Sequence, residues 1–434
     1  MNVVDSEVVL AILQQQDFEL TEEIAQADLI LVNTCSIRDN AEQRVRNRLK
    51  EFGRIKKENN QVTVGVIGCM AERLKEKLLE EEEVVDLVVG PDAYRQLPAL
   101  LADVEEGHKG INTLLSIEET YGDIRPVRMD QNKVSSFVAI MRGCNNYCAY
   151  CVVPETRGRE RSRDPETILK EVGTLFDNGY REVTLLGQNV NSYRWGVGNQ
   201  SVPFEKLLAL VARVDPGMRI RFATSHPKDL SESLLEVMAA VPNICRSVHL
   251  PVQSGSSAVL ERMKRRYTRE DYMDRITAIR KHLPDASIST DIIAGFCGET
   301  DEDHQQTLSL MEWAGFDFAY MFKYSERPGT LAQKKYMDDV PELTKTARLN
   351  EIIELQTRLS LESKEKDVGH SYEVLVEGLS KKSDAHLYGR TSQNKVAVFP
   401  KGNLQAGDYA SIRILSCTSA TLLGEQNRDS ALLK

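Results

Sequence analysis

A chain of 434 residues is too long for one ordinary core, and its 65 acidic against 55 basic side chains leave a formal charge of −10. That balance excludes a generally basic nucleic-acid binder, so any nucleic-acid contact has to come from a local basic surface. No apolar run reaches the roughly 20 residues that span a bilayer, and eight cysteines with no export signal in view set the expectation of a reducing cytoplasm rather than a disulfide framework.

Residues 1–107 alternate short apolar strands, expected at 28–32, 62–67 and 84–89, with amphipathic helices. Near-continuous Val/Ile/Leu strands between helices predict an α/β domain with a parallel sheet covered on both faces. Ligands gather beyond the C-terminal strand ends of such sheets. Cys35, after Asn33-Thr34, and Cys69, after Gly68, both stand at that edge. They are either ligands or small buried hydrophobes. The acidic run 80–83 reads as a solvated helix face, and 108–132 as a polar connector.

Six strands are expected next, at 137–142, 182–187, 218–223, 246–251, 286–293 and 316–322, with helical spacing at 165–178, 203–214 and 269–282. Serial strand–helix units predict a partial (β/α)6 barrel, whose chemistry sits on the loops after the strands. A charged helical stretch at 342–366 leads to short alternating strands at 372–376, 387–391, 396–399 and 409–414, which predict a small all-β barrel. The expected domains are 1–107, 130–366 and 368–432.

The loop after the first barrel strand carries Cys144, Cys148 and Cys151. Three thiolates on one loop can hold a soft metal or a cluster. Structural zinc takes four ligands, whereas three leave one position open, as a catalytic iron–sulfur cube needs. The C-x3-C-x2-C order is not the paired pattern of zinc ribbons, but spacing alone keeps zinc as the rival. Tyr150, before the third cysteine, is the aromatic residue found there in radical S-adenosylmethionine (SAM) enzymes.

Further motifs extend the likeness. They are Asn33-Thr34-Cys35-Ser36-Ile37-Arg38, Gly68-Cys69-Met70-Ala71 and Val153-Pro154-Glu155-Thr156-Arg157-Gly158-Arg159-Glu160. Together with the cysteine loop they resemble the radical-SAM methylthiotransferases over nearly the whole chain, in that family's order of N-terminal domain, radical-SAM core and TRAM domain. Leu185-Leu186-Gly187-Gln188-Asn189, Thr224-Ser225-His226-Pro227 and Pro251-Val252-Gln253-Ser254-Gly255 match the branch that acts on tRNA, rather than the branch that modifies a ribosomal protein.

The resemblance implies methylthiolation of C2 in N6-isopentenyladenosine at tRNA position 37, with SAM used both as methyl donor and as radical source. It implies two [4Fe–4S] clusters. Cys144, Cys148 and Cys151 would hold the radical cluster and be catalytic through it, and Cys35 and Cys69 two thirds of the auxiliary set. The family's first auxiliary cysteine and its strand precede the point where this sequence begins, so an upstream start is expected. Tyr150, Gly187, Gln188, Ser225, Gln253, Asp291 and Gly295 are the implied SAM neighbours, although Gly187-Gln188, Ser225 and Gln253 also suit plain turns or caps. Cys245, Cys297 and Cys417 read as incidental.

Arg157, Arg159 and Arg161, Arg265 and Arg266 beside Lys264, and Arg390, Lys395 and Lys401 are the expected RNA contacts. Expected partners are the tRNA anticodon stem-loop, an electron donor of the flavodoxin or ferredoxin type, and a sulfur source, with a monomeric enzyme and no membrane. The alternatives are methylthiolation of a ribosomal protein, methylthiolation of threonylcarbamoyladenosine in tRNA, or a non-catalytic RNA-binding protein with zinc.

Overall fold

The computed structural model describes residues 1–34, 39–130 and 132–427. The chain forms two compact units. One comprises Met1–Met129, Ala139–Tyr147 and Cys151–Thr167, the other Asp130–Val138, Cys148–Tyr150 and Ile168–Lys434.

In the first unit four parallel strands, Leu29–Thr34, Thr63–Gly68, Leu87–Val89 and Gly110–Asn112, neighbour one another in that order. Their Val/Leu/Ile content follows from burial on both faces. The helix Asn2–Gln14 lays Val8, Val9, Ile12 and Leu13 against Ile67, Leu87 and Tyr94 on one side. Val45, Leu49 and Phe52 cover Val64, Val66 and Val85 on the other. The strand Gly110–Asn112 lies where the sequence suggests only a connector. It is three residues long, and a Cβ at Gly110 would meet Leu87 Cδ1 at 2.8 Å, so backbone approach rather than apolar periodicity places it. The unit also contains the antiparallel pair Met141–Arg142 and Arg161–Ser162 and the short helix Val153–Arg157.

In the second unit two three-stranded sheets follow one another. Ser135–Ala139, Glu182–Leu186 and Arg219–Phe222 form the first, and Ser247–His249, Ser287–Ala294 and Phe318–Lys323 the second. A parallel bridge between Ile220 and Ile244 joins them, giving the open six-stranded barrel predicted from the strand–helix rhythm. The expected strand 137–142 is instead two pieces, Ser135–Ala139 and Met141–Arg142, which pair in different sheets. Helices Arg269–His282 and Asp301–Ala314 start at Thr268 and Thr300, each closed by a reciprocal capping box with Asp271 or Asp303.

Strands Ser371–Ser380, Ser383–Thr391, Val396–Pro400, Tyr409–Cys417 and Leu422–Gln426 close into a barrel around Val374, Val376, Phe399, Ile412 and Leu422. The last strand has only two apolar residues, so no alternation signals it; closure itself recruits it and removes the free edges. This small barrel seats on the larger one through arginines. Arg219 donates to the carbonyls of Arg390 (2.7 Å) and Glu373 (2.9 Å). Arg221 donates to those of Thr391 (2.7 Å) and Ser392 (3.0 Å) while pairing with Glu182 at 2.7 Å.

Candidate cluster and cofactor site

None of the described cysteines forms a disulfide; Cys144 and Cys148 are buried and Cys151 half-buried. Gly143 opens the cysteine loop at φ +77°, where a Cβ would lie 2.0 Å from the Arg159 carbonyl oxygen, so no other residue fits there. The Cys144 amide donates to the Gly158 carbonyl at 3.2 Å, and the Asn146 amide to Cys144 Sγ at 3.5 Å. Within the second unit, the Ala149 amide donates to Met263 O at 2.9 Å, and its carbonyl accepts from the Ala332 amide at 2.7 Å. Tyr150 sets its ring edge-on to Phe296 at 6.4 Å. Cys148 Sγ accepts from Arg265 Nη1 at 3.4 Å.

Beyond the C-terminal strand ends of the open barrel, buried polar atoms collect without partners. They are Gln188 Oε1, Asn189 Oδ1, both amide atoms of Asn191, and Ser225 Oγ. The loops carrying them are neighbours, since the Val190 amide donates to Thr224 O at 2.9 Å. Thr224 and Gln253 hold φ +75° and +71°, left-handed backbone that costs non-glycine residues energy and concentrates at functional sites. Gln253 is fixed by its amide to Asp291 O (2.8 Å) and its carbonyl to Ile293 N (2.9 Å). Asp291 lies 3.4 Å from His249 Nε2. Gly295 has φ +72°, and its amide donates to Glu299 Oε2 at 2.7 Å. Unpaired buried polar atoms each cost about 1–3 kcal/mol, and amide and hydroxyl groups of this kind suit a ligand bearing ammonium, carboxylate and ribose groups. Within the second unit these atoms therefore suit SAM, and thiols are the soft donors that an iron–sulfur cluster takes.

His226, after the third strand, stays neutral. Burial, then Arg265, Lys228 and Arg266, push its imidazole down to about 2.

Cys69 opens the helix Cys69–Leu74 in the first unit, 7% exposed; Cys35 lies outside the described residues. Arg157 Nε donates to Cys69 Sγ at 3.2 Å while Arg157 Nη2 pairs with Asp5 at 2.5 Å. Asp5 also holds Arg142 at 3.0 Å, and Asp92 holds Arg161 at 2.9 Å. Arg157 Nη1 is buried without a partner. Three guanidiniums thus share two carboxylates, a setting that suits an anionic sulfur ligand at Cys69.

The basic residues divide by direction. Arg157, Arg161 and Arg265 are 3%, 6% and 4% exposed and bonded internally. Lys395 pairs with Asp367 at 2.7 Å and Asp317 at 3.2 Å, and Arg390 with Glu377 at 3.1 Å. Arg159, Lys264, Arg266 and Lys401 are exposed. So are Lys381 and Lys382, which sequence reasoning passed over although they adjoin a turn between two barrel strands.

Family models match the chain in three places. Residues 138–311 match the Radical SAM superfamily, residues 1–90 the Uncharacterized protein family UPF0004, and residues 365–426 the TRAM domain. Over 98% of its length the chain is 56% identical to a protein of Amoebophilus asiaticus and 57% identical to one of Bacteroides fragilis, covering 90% and 93% of them. Both are named tRNA-2-methylthio-N(6)-dimethylallyladenosine synthase. The chain belongs to the radical-SAM methylthiotransferase family. A methylthiotransferase of Christiangramia forsetii with that same name is 54% identical, with 98% and 91% coverage. Among solved structures, the radical SAM methyltransferase TsrM of Kitasatospora setae, determined with tryptophan and a SAM analogue, superimposes with a TM-score of 0.56 at 16% identity. That match covers 76% of this methylthiotransferase and 72% of TsrM, and it speaks for the fold alone.

Proposed function

We propose that this enzyme places a methylthio group on C2 of N6-isopentenyladenosine in the anticodon loop of tRNA. The observation that carries the reading is the set of unpaired polar atoms on Gln188, Asn189, Asn191 and Ser225 at the strand ends. It stands in a chain that carries three cysteines, none in a disulfide, on the loop after its first barrel strand. Cys144, Cys148 and Cys151 hold a [4Fe–4S] cluster, and Cys35 and Cys69 contribute to a second. Bound there, the clusters and SAM supply the one-electron chemistry that an unactivated aromatic C–H bond requires.

The protein's own residues do the orienting. Gln188 and Asn189 accept from the methionine ammonium, Ser225 and Gln253 hold its polar end, and Asp291 and Gly295 line the adenosine side. Tyr150 keeps the cysteine loop packed against Phe296. The exposed Arg159, Lys264, Arg266, Lys381, Lys382 and Lys401 meet tRNA phosphates, and a splayed anticodon base enters the site. A flavodoxin- or ferredoxin-type donor and a sulfur source complete the cycle of a cytoplasmic monomer.

Nucleoside mass spectrometry of a deletion strain tests this. Loss of the 2-methylthio group from isopentenyladenosine, restored by the wild-type gene and not by Cys148→Ala, is expected. Loss from threonylcarbamoyladenosine or from a ribosomal protein instead, or a purified protein holding zinc without iron, overturns it.

A further inference from the structure

Lys264 and Arg266 are exposed and both hold left-handed backbone, φ +57° and +58°. That turn drives the residue between them inward: Arg265 is 4% exposed. Its donors are committed, Nε to the Tyr267 hydroxyl at 2.9 Å, Nη2 to the Pro251 carbonyl at 2.7 Å and Nη1 to Cys148 Sγ at 3.4 Å. Its partners are a phenol hydroxyl, a carbonyl and a sulfur, and no carboxylate pairs with it among the described residues. A guanidinium taken out of water without a counter-ion costs several kcal/mol. Cys148 is the one partner in hydrogen-bond reach that becomes a full anion when it ligates iron.

We infer that Arg265 is a positioning residue for the cluster on the cysteine loop: it donates to the Cys148 thiolate, raises the cluster's reduction potential, and ties the cluster to the loop carrying Gln253. The inference rests on the proposed assignment of Cys144, Cys148 and Cys151. Reduction adds one negative charge to a cluster, so a fixed cation with an N–H···S bond stabilises the reduced form more than the oxidised one. The second role follows from the other two donors. The Tyr267 hydroxyl that accepts from Arg265 donates onward to Val252 O at 2.8 Å. One side chain thereby fixes Cys148 and the segment Pro251–Val252 together, directly before Gln253. Enclosed as it is, Arg265 is not placed to meet RNA phosphates.

The test uses Arg265→Met and Arg265→Lys in a Cys35→Ala/Cys69→Ala background, so that all bound iron belongs to one cluster. Iron and sulfide are counted after anaerobic reconstitution, and the cluster is titrated electrochemically by electron paramagnetic resonance. Arg265→Met is expected to keep its iron and to lower the reduced-to-oxidised ratio at fixed ambient potential about tenfold, roughly 59 mV for a one-electron couple. Arg265→Lys is expected to fall between Met and wild type, and tRNA affinity to stay unchanged. An iron-replete Arg265→Met protein with an unmoved potential overturns the inference, as does weakened tRNA binding with that potential unmoved. If Arg265→Met loses its cluster, Arg265→Lys decides, and a wild-type potential there overturns it. Absence of iron from the parent protein defeats the proposed function itself, whereas iron present with an unmoved potential defeats only this inference.

Discussion

Asp5 is fully buried and holds Arg142 and Arg157, which are 2% and 3% exposed, at 3.0 and 2.5 Å. Burial pushes its carboxyl up, but Arg157 and Arg142 outweigh this and leave it below the usual range, so it is ionised at neutral pH. Asp5→Asn keeps the volume and removes the charge, leaving Asp92 as the remaining carboxylate among three guanidiniums. Deleting one member of a buried ionic set costs about 3–5 kcal/mol, whereas replacing the whole set by apolar residues is often neutral. At 1.36 kcal/mol per tenfold change, amide exchange in residues 4–13 and 62–68 should accelerate by roughly a hundred- to several-thousand-fold. The combination Asp5→Leu/Arg142→Met/Arg157→Met should recover most of that. Because the folded carboxyl lies below its unfolded value, the stability it lends is complete above that value, near 3.9. It is lost as pH falls through the folded value, so parent and Asp5→Asn proteins should converge in acid. Exchange in Asp5→Asn within about threefold of the parent at pH 7, or a triple variant no better than the single one, refutes the reasoning.

The buried Glu72 carboxyl behaves oppositely: burial pushes it up to about 7 against a partial pull from Lys75. The folded state therefore keeps a proton that the unfolded chain has released, and stability falls as pH rises towards 7. Glu72→Gln should remove that slope and stabilise the first unit by up to roughly 3 kcal/mol at pH 8; a difference independent of pH between 5 and 8 contradicts this. Gly295→Ala places a Cβ 2.4 Å from Lys345 Cγ at φ +72° and should cost about 1–3 kcal/mol, read as a lower urea midpoint of tryptophan fluorescence. Reversing Lys381, Lys382 and Lys401 to Glu should weaken tRNA binding and flatten its salt dependence, while Lys395→Gln should lower stability and leave the salt slope intact. Removing iron should lower the melting temperature, since ligand binding to the folded state adds to its stability; equal values with and without iron speak against the cluster assignment.

What the sequence discloses and what it hides divide along physical lines. Hydrophobic period placed the long strands and helices, and the helix expected at 269–282 is Arg269–His282 because Thr268 and Asp271 cap it. Strand ends placed Gln188, Ser225 and Gln253 on loops at the barrel's C-terminal edge. Gly110–Asn112 and Leu422–Gln426 stayed hidden, since three residues carry no period and a closing strand with two leucines carries little. For the basic residues, charge was visible and direction was not. Lys264, Arg265 and Arg266 look alike in sequence, and only the two left-handed residues turn the middle one inward.

That difference in direction bears on the chemistry of both cysteine settings. Near Cys69, Arg142, Arg157 and Arg161 share Asp5 and Asp92, and Arg157 Nη1 still lacks a partner. Beside Cys148, Arg265 has carbonyl, phenol and sulfur around it. In each setting a buried guanidinium has a sulfur atom in hydrogen-bond reach. A neutral thiol compensates neither charge, and a carboxylate in its place would bring a harder ligand that soft metals disfavour. A thiolate bound to iron, as proposed for these cysteines, would satisfy both demands, because the metal would keep the sulfur anionic beside the guanidinium. Arg157 and Arg265, which the sequence offered as RNA contacts, are instead enclosed beside Cys69 and Cys148, the positions proposed as cluster ligands.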